Sequence, residues 1–89
     1  MNILKIYSNR EIMLTDMKEF ARNNPDSTFR SRYDTVKLYN GTLVIFRVIK
    51  DDHDWHNVAG LEVQCLDVSP TARIDAETIN FLMSRVRGF

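Results

Sequence analysis

Cysteine, proline and glycine are all scarce in this 89-residue chain, which has one, two and three of them respectively. A single cysteine, Cys65, leaves no internal disulfide framework and points to a reducing, cytoplasmic setting. So few prolines and glycines leave no room for a long flexible linker. No window approaches the roughly 18 apolar residues of a membrane span. The opening "MNILKIYSNRE" has too short an apolar run for a signal peptide. Charge of one sign is not in excess either, because 12 Lys and Arg balance 12 Asp and Glu. A nonspecific nucleic-acid binder normally carries a positive surplus, since neutralising phosphates dominates its affinity. Only segregation of charge by face would serve that role here.

Several catalytic signatures are also missing. No "GxxxxGK[ST]" or "GxGxxG" loop is present to cradle phosphates. No serine sits in a "GxSxG" elbow. Cys65 falls inside a strand-like run, where a buried structural thiol is expected rather than a nucleophile. These gaps speak against an enzyme.

What is present is a clear local pattern. Residues 3–7, "ILKIY", read as a strand. Ser8 and Glu11 then form a capping box for a helix from Asn9 to about Asn23. Met13, Met17, Phe20 and Ala21 make its apolar stripe, and Pro25 stops it. Asn40-Gly41 is a type I′ hairpin signal, because both residues tolerate positive φ. With those two as the loop, Val36 faces Ile45 and Asp34 faces Arg47, an opposite-charge pair. "TLVIFRVI" is apolar on both faces, as a strand covered on both sides would be. The preceding arm carries Arg30, Arg32 and Lys37 and suits an edge.

"LEVQCLDV" alternates, with Leu61, Val63 and Cys65 on one phase, and reads as a fourth strand. Asp75 caps a second helix whose apolar face is Ala76, Ile79, Leu82, Met83 and Val86. Arg85 and Arg87 complement its last turn, and Gly88 stops it. The expectation is one α+β domain spanning residues 1–89, of order β-α-β-β-β-α. A mixed four-stranded sheet with a central hairpin would carry two packed helices.

The most chemically loaded stretch is "DDHDWH", residues 51–56. His53, His56 and Asp51 offer imidazole and carboxylate ligands that suit a zinc-like ion. Their spacing departs from the "HExxH" pattern, and no cysteine pair accompanies them. Trp55 stands in this polar loop without apolar neighbours in sequence, and tryptophan and arginine are enriched at binding hot spots. Arg30 and Arg32 project from one face of a strand, with Phe29 and Tyr33 on the other. Arg73, Arg85 and Arg87 form a second basic group.

From Tyr33 to about Gly88, the order of features resembles part of the ATPase domain of viral DNA-packaging terminase large subunits and related P-loop translocases. The corresponding strings are "VKLYNGTLVIFRV", "DDHDWHNVAGLEV", "QCLDVSPTARID" and "AETINFLMSRVRG". The phosphate-binding loop of that family is absent. Where the family has an Asp-Glu pair, Asp67 stands in for the aspartate and no glutamate follows it. The resemblance therefore implies no ATP hydrolysis. It implies a small phage-encoded protein whose α/β core is reused for binding or regulation.

The sequence thus points first to a non-enzymatic, cytoplasmic interaction module without a cofactor, one that binds another protein. Its contact residues are Trp55, Asp52, Asp54, His56, Arg85 and Arg87. The alternative is a nucleic-acid binder using Arg30, Arg32, Arg73, Arg85 and Arg87. A third reading is a metal site at His53, His56 and Asp51. Self-association is a further expectation, since so short a chain gains stability by pairing.

Overall fold

An apolar strand such as "TLVIFRVI" must be covered on both faces, and the structure, a computed structural model, achieves that with helical elements on each side of the sheet. It describes residues 1–88, and the side chain of Asp52, one of the expected contact residues, lies outside the described part. The elements are β1 (Asn2–Tyr7), α1 (Arg10–Asn23), β2 (Thr28–Arg30), β3 (Thr35–Lys37), β4 (Leu43–Val48), a 3-10 helix (Asp52–Asn57), β5 (Cys65–Val68) and α2 (Ala76–Met83). The sheet is mixed, in the order β2-β3-β4-β1-β5. β1 lies parallel between β4 and β5, whereas β3 is antiparallel to β4 and β2 to β3. The α+β class and the two helices agree with the sequence, but the sheet has five strands rather than four.

The extra strand comes from a break. The run expected to form one hairpin arm is interrupted at residues 31–34, where Asp34 takes a φ of 50°. The chain folds back there, so β2 pairs with β3 and becomes the edge. Positive φ is tolerated at aspartate better than at most residues with a Cβ.

The hairpin register is also one residue from expectation. Val36 pairs with Val44 and Thr35 with Ile45, not Val36 with Ile45. The cause is the loop. Asn40 does not have the positive φ that a type I′ turn needs, and Gly41 alone in the loop does, at 90°. Asn40 Oδ1 instead accepts the Thr42 N–H at 3.0 Å. The Gly41 N–H donates to the Leu38 carbonyl at 3.0 Å, and Leu38 N–H to Thr42 at 2.8 Å. The loop therefore has three residues. Gly41→Ala should destabilise the domain by about 1 kcal/mol through backbone strain alone, because nothing lies within 4 Å of an added Cβ. Urea unfolding measures this, and an unchanged midpoint would contradict the loop geometry.

Alternation along β1 and β4 builds two cores. Leu4, Ile6, Ile45 and Ile49 pack with Val58, Val63 and Leu82 under α2 and the 3-10 helix. Tyr7, Val36, Val44 and Phe46 pack with Met13 and Met17 of α1 on the opposite face. Each cluster contains side chains with essentially no exposure, so β4 is covered on both sides as its composition predicts.

The helix termini need two corrections. The cap of α1 is Asn9, not Ser8: its Oδ1 accepts the N–H groups of Glu11 and Ile12 at 2.8 and 3.1 Å. Ser8 Oγ donates instead to the Thr71 carbonyl at 3.4 Å. α2 begins at the expected Asp75 cap, where hydrogen bonds from Thr78 hold the carboxyl below the usual aspartate range. It ends at Met83, so Arg85 and Arg87 lie beyond its last turn. Residues 85–87 turn back instead. Val63 N–H donates to the Arg87 carbonyl and Arg87 N–H to Leu61, each at 2.7 Å.

The fourth expected strand is likewise shorter, starting at Cys65. Its phase reverses after Val63, so Leu66 packs inward and Cys65 is exposed rather than buried. None of the described helices is long and apolar enough to cross a membrane.

Candidate functional site

"DDHDWH" is not an open loop but a capped 3-10 helix. Asp51 Oδ1 accepts the His53 N–H at 2.9 Å, and Asp54 Oδ2 accepts the Lys50 N–H at 2.8 Å. Asn57 Nδ2 donates to the Val48 carbonyl at 3.0 Å, tying the far end to β4. Asp51 and Asp54 therefore build the turn. What they hold in place is Trp55.

Trp55 is 41% exposed, and Phe81 of α2 is 37% exposed. The Arg85 guanidinium lies 4.9 Å from the Phe81 ring centroid and 5.4 Å from that of Trp55. One cation thus bridges two half-exposed aromatic rings, and His56 packs edge-on to Trp55 at 6.3 Å. Each such cation–ring contact contributes about 0.5–1 kcal/mol where water still reaches it. The backbone of Arg85 is fixed as well. Its N–H donates to the Leu82 carbonyl, and its carbonyl accepts the Gly60 N–H, both at 3.0 Å. The result is a patch of apolar surface around the Arg85 guanidinium, whose backbone is held in place.

Among the residues expected to contact a partner, Trp55, His56 and Arg85 come together here. Asp54 stands at the base of the same turn. Arg87 is set apart, with its side chain on the Gly60 carbonyl at 3.3 Å. Phe81 was not singled out from the sequence. Its spacing of four from Arg85 on a helical segment was the available signal, because such pairs share a face.

The arginines of the nucleic-acid reading do not form one surface. Arg30 and Arg32 lie at the β2 edge, whereas Arg73 follows β5 on the opposite edge. For the metal reading, His53 Nδ1 stands 3.3 Å from Asp51 Oδ1. Among the described residues no group of three or more His, Cys, Asp or Glu side chains is gathered closely enough to hold an ion.

The parallel core has one other place where a ligand could be expected. β1 leads to α1 on one face and β5 to α2 on the other, so their C-terminal ends flank a switch point of the kind that binds ligands in α/β sheets. The depression there is lined by Lys5, Tyr7, Asp16, Asp67, Ser69 and Pro70 and measures about 100 Å³. That is well below the roughly 300–1,000 Å³ of small-molecule sites. Lys5 and Asp67 pair across it at 3.5 Å, and burial beside Asp16 raises the Tyr7 pKa well above the ordinary tyrosine value.

Neither the known family models, nor the curated proteins, nor the solved structures contain a match to this chain. The likeness to terminase ATPase domains therefore rests on the element order and short strings alone.

Proposed function

We propose that this protein is a non-enzymatic interaction module that binds another protein through the Trp55–Arg85–Phe81 surface. The observation that carries the reading is the Arg85 guanidinium shared between two half-exposed rings. Tryptophan and arginine dominate binding hot spots because they add large apolar contact area and fixed donors at little entropic cost. The patch suits a partner that presents an apolar side chain beside a carboxylate. The apolar group covers the rings, and the carboxylate takes the guanidinium donors that remain exposed. A cytosolic regulator or inhibitor of phage origin is the finer form of this proposal.

Trp55→Ala should remove partner capture and weaken the isolated complex more than tenfold while leaving the unfolding midpoint within about 1 kcal/mol of wild type, as surface substitutions usually do. Arg85→Lys should lose most of the affinity too, because an ammonium cannot match the planar guanidinium between the rings. Binding isotherms with the captured partner give both results. An unchanged set of captured proteins for Trp55→Ala would overturn the assignment. A second copy of the chain as the partner would appear as a dimer whose dissociation constant rises in the same variants.

A further inference from the structure

The helical layer over the second face of the sheet is incomplete. α2 and the 3-10 helix cover the Leu4, Ile6, Ile45 and Ile49 side chains of β1, β4 and the residue after it. No residue of β2 or β3 belongs to that core, and Val36 packs on the other face under α1. The β2–β3 half of the second face is left as an open groove of about 420 Å³. Arg30, Tyr33, Thr35, Lys37 and Leu43 line it, together with Asn2 and Gly41.

We propose that this groove binds single-stranded nucleic acid. Two features of the groove point to that class of ligand. The first is charge. Between Thr28 and Lys50 there are five basic residues and one acidic residue, in a chain whose total is zero. The one acid, Asp34, is paired with Arg10 of α1 at 3.4 Å. Among the described residues, Arg30 and Lys37 make no ion pair and no side-chain hydrogen bond, so both cations are available. Two cations, Arg30 and Lys37, thus line this uncovered part of the sheet, and among the described residues no acidic one is part of its lining.

The second feature is the aromatic ring. An unbroken strand would put Tyr33 on the face opposite Arg30. The break at residues 31–34 brings both to the same groove. Tyr33 is 56% exposed, and the Arg32 guanidinium lies 5.7 Å from its ring centroid. An exposed ring flanked by cations gives a base something to stack on while its phosphates are neutralised. Arg30 pairs with Thr35 and Lys37 with Thr28, so the two cations sit on diagonal positions of one ladder. Such positions are roughly 7–8 Å apart, on the scale of adjacent phosphates in an extended strand. An acidic peptide would satisfy the charge but leave the ring unused. This site is separate from the Trp55 surface and stands or falls independently of it.

The test is fluorescence anisotropy of a labelled oligothymidine of about 12 nucleotides, within the usual range of single-strand site sizes, with the full chain. Binding should weaken with salt, with a log–log slope of about −1.4 for two phosphate contacts. Arg30→Ala with Lys37→Ala should reduce affinity at least tenfold and flatten that slope. Tyr33→Ala should weaken binding severalfold, Tyr33→Phe should restore it, and Trp55→Ala should change nothing. Absence of salt-dependent binding at low ionic strength would overturn the proposal. So would binding indifferent to these variants, or equal affinity for a labelled poly-glutamate that weakens in the same variants.

Discussion

Phe46→Ala should leave this domain close to its unfolding midpoint at room temperature. Phe46 is fully buried at the centre of the sheet. Its ring stacks with Tyr7 at 6.1 Å and meets Phe20 of α1 edge-on at 6.0 Å. It therefore sits at the centre of the cluster that holds α1 to both β1 and β4. Truncating a buried phenylalanine costs about 3–5 kcal/mol, combining lost transfer energy with the cavity left behind. A domain of this size has a total stability of only about 4–13 kcal/mol on the usual per-residue scale. Equilibrium urea unfolding with Phe46→Leu alongside separates the cavity from a wholesale loss of fold, since leucine refills part of the space. A loss under about 1 kcal/mol, small for a fully buried ring, would mean that α1 does not rest on Phe46.

Arg47→Met should cost about 2 kcal/mol, and the loss should concentrate in two loops. Burial lowers the Arg47 pKa from the ordinary arginine value, and the nearby Asp34 carboxylate opposes that shift. The guanidinium donates to three carbonyls: Nη1 to Tyr33 at 3.0 Å and Phe46 at 2.8 Å, and Nε to Asn57 at 3.1 Å. One side chain thus pins both the turn that carries Tyr33 and the end of the helix that carries Trp55. Methionine keeps the apolar stem and removes every donor, leaving partly buried carbonyls unpaired. Hydrogen exchange should show faster opening at residues 31–34 and 52–58 than in β1 or β4. Arg47→Lys should recover only part of the stability, because a single ammonium cannot reach the planar fork of acceptors. Uniform loss of protection across the sheet would place the role of Arg47 in the core instead.

Both predictions concern residues whose importance was only half visible in the sequence. The apolar run around Phe46 announced a covered strand, and the 3.6-residue stripe of Met13 and Met17 announced the helix that covers it. In the sequence, Arg47 falls opposite Asp34 across the expected hairpin. That pairing depended on a two-residue loop, and a loop one residue longer moved it. The Asp34 backbone carbonyl instead accepts the Phe46 N–H at 2.9 Å, and its carboxylate pairs with Arg10. A one-residue shift in register changes every cross-strand neighbour, and the choice between two turn types lies within about 1 kcal/mol of backbone preference. Local sequence cannot decide so small a difference.

The site shows the same division. Trp55 was conspicuous because a large apolar ring in a polar segment has no local means of burial. The six-residue string around it looked like ligands, but Asp51 and Asp54 accept backbone N–H groups at the start of the short helix, since such groups must find acceptors. Phe81 and Arg85 completed the patch from 26 and 30 residues away in the chain. The groove at Arg30 was hidden by the assumption of an unbroken strand, which put Tyr33 on the wrong face.

By itself, the sequence determined the class of the domain, the two helices and the doubly covered strand. These follow from hydrophobic period, capping chemistry and composition, all of which act over a few neighbouring residues. Only the tertiary structure decided the fifth strand, the hairpin register, the exposure of Cys65 and the meeting of Trp55, Phe81 and Arg85. Those depend on which distant groups compete for the same backbone donors and the same apolar surface, and that competition is resolved only when the layers close on the sheet.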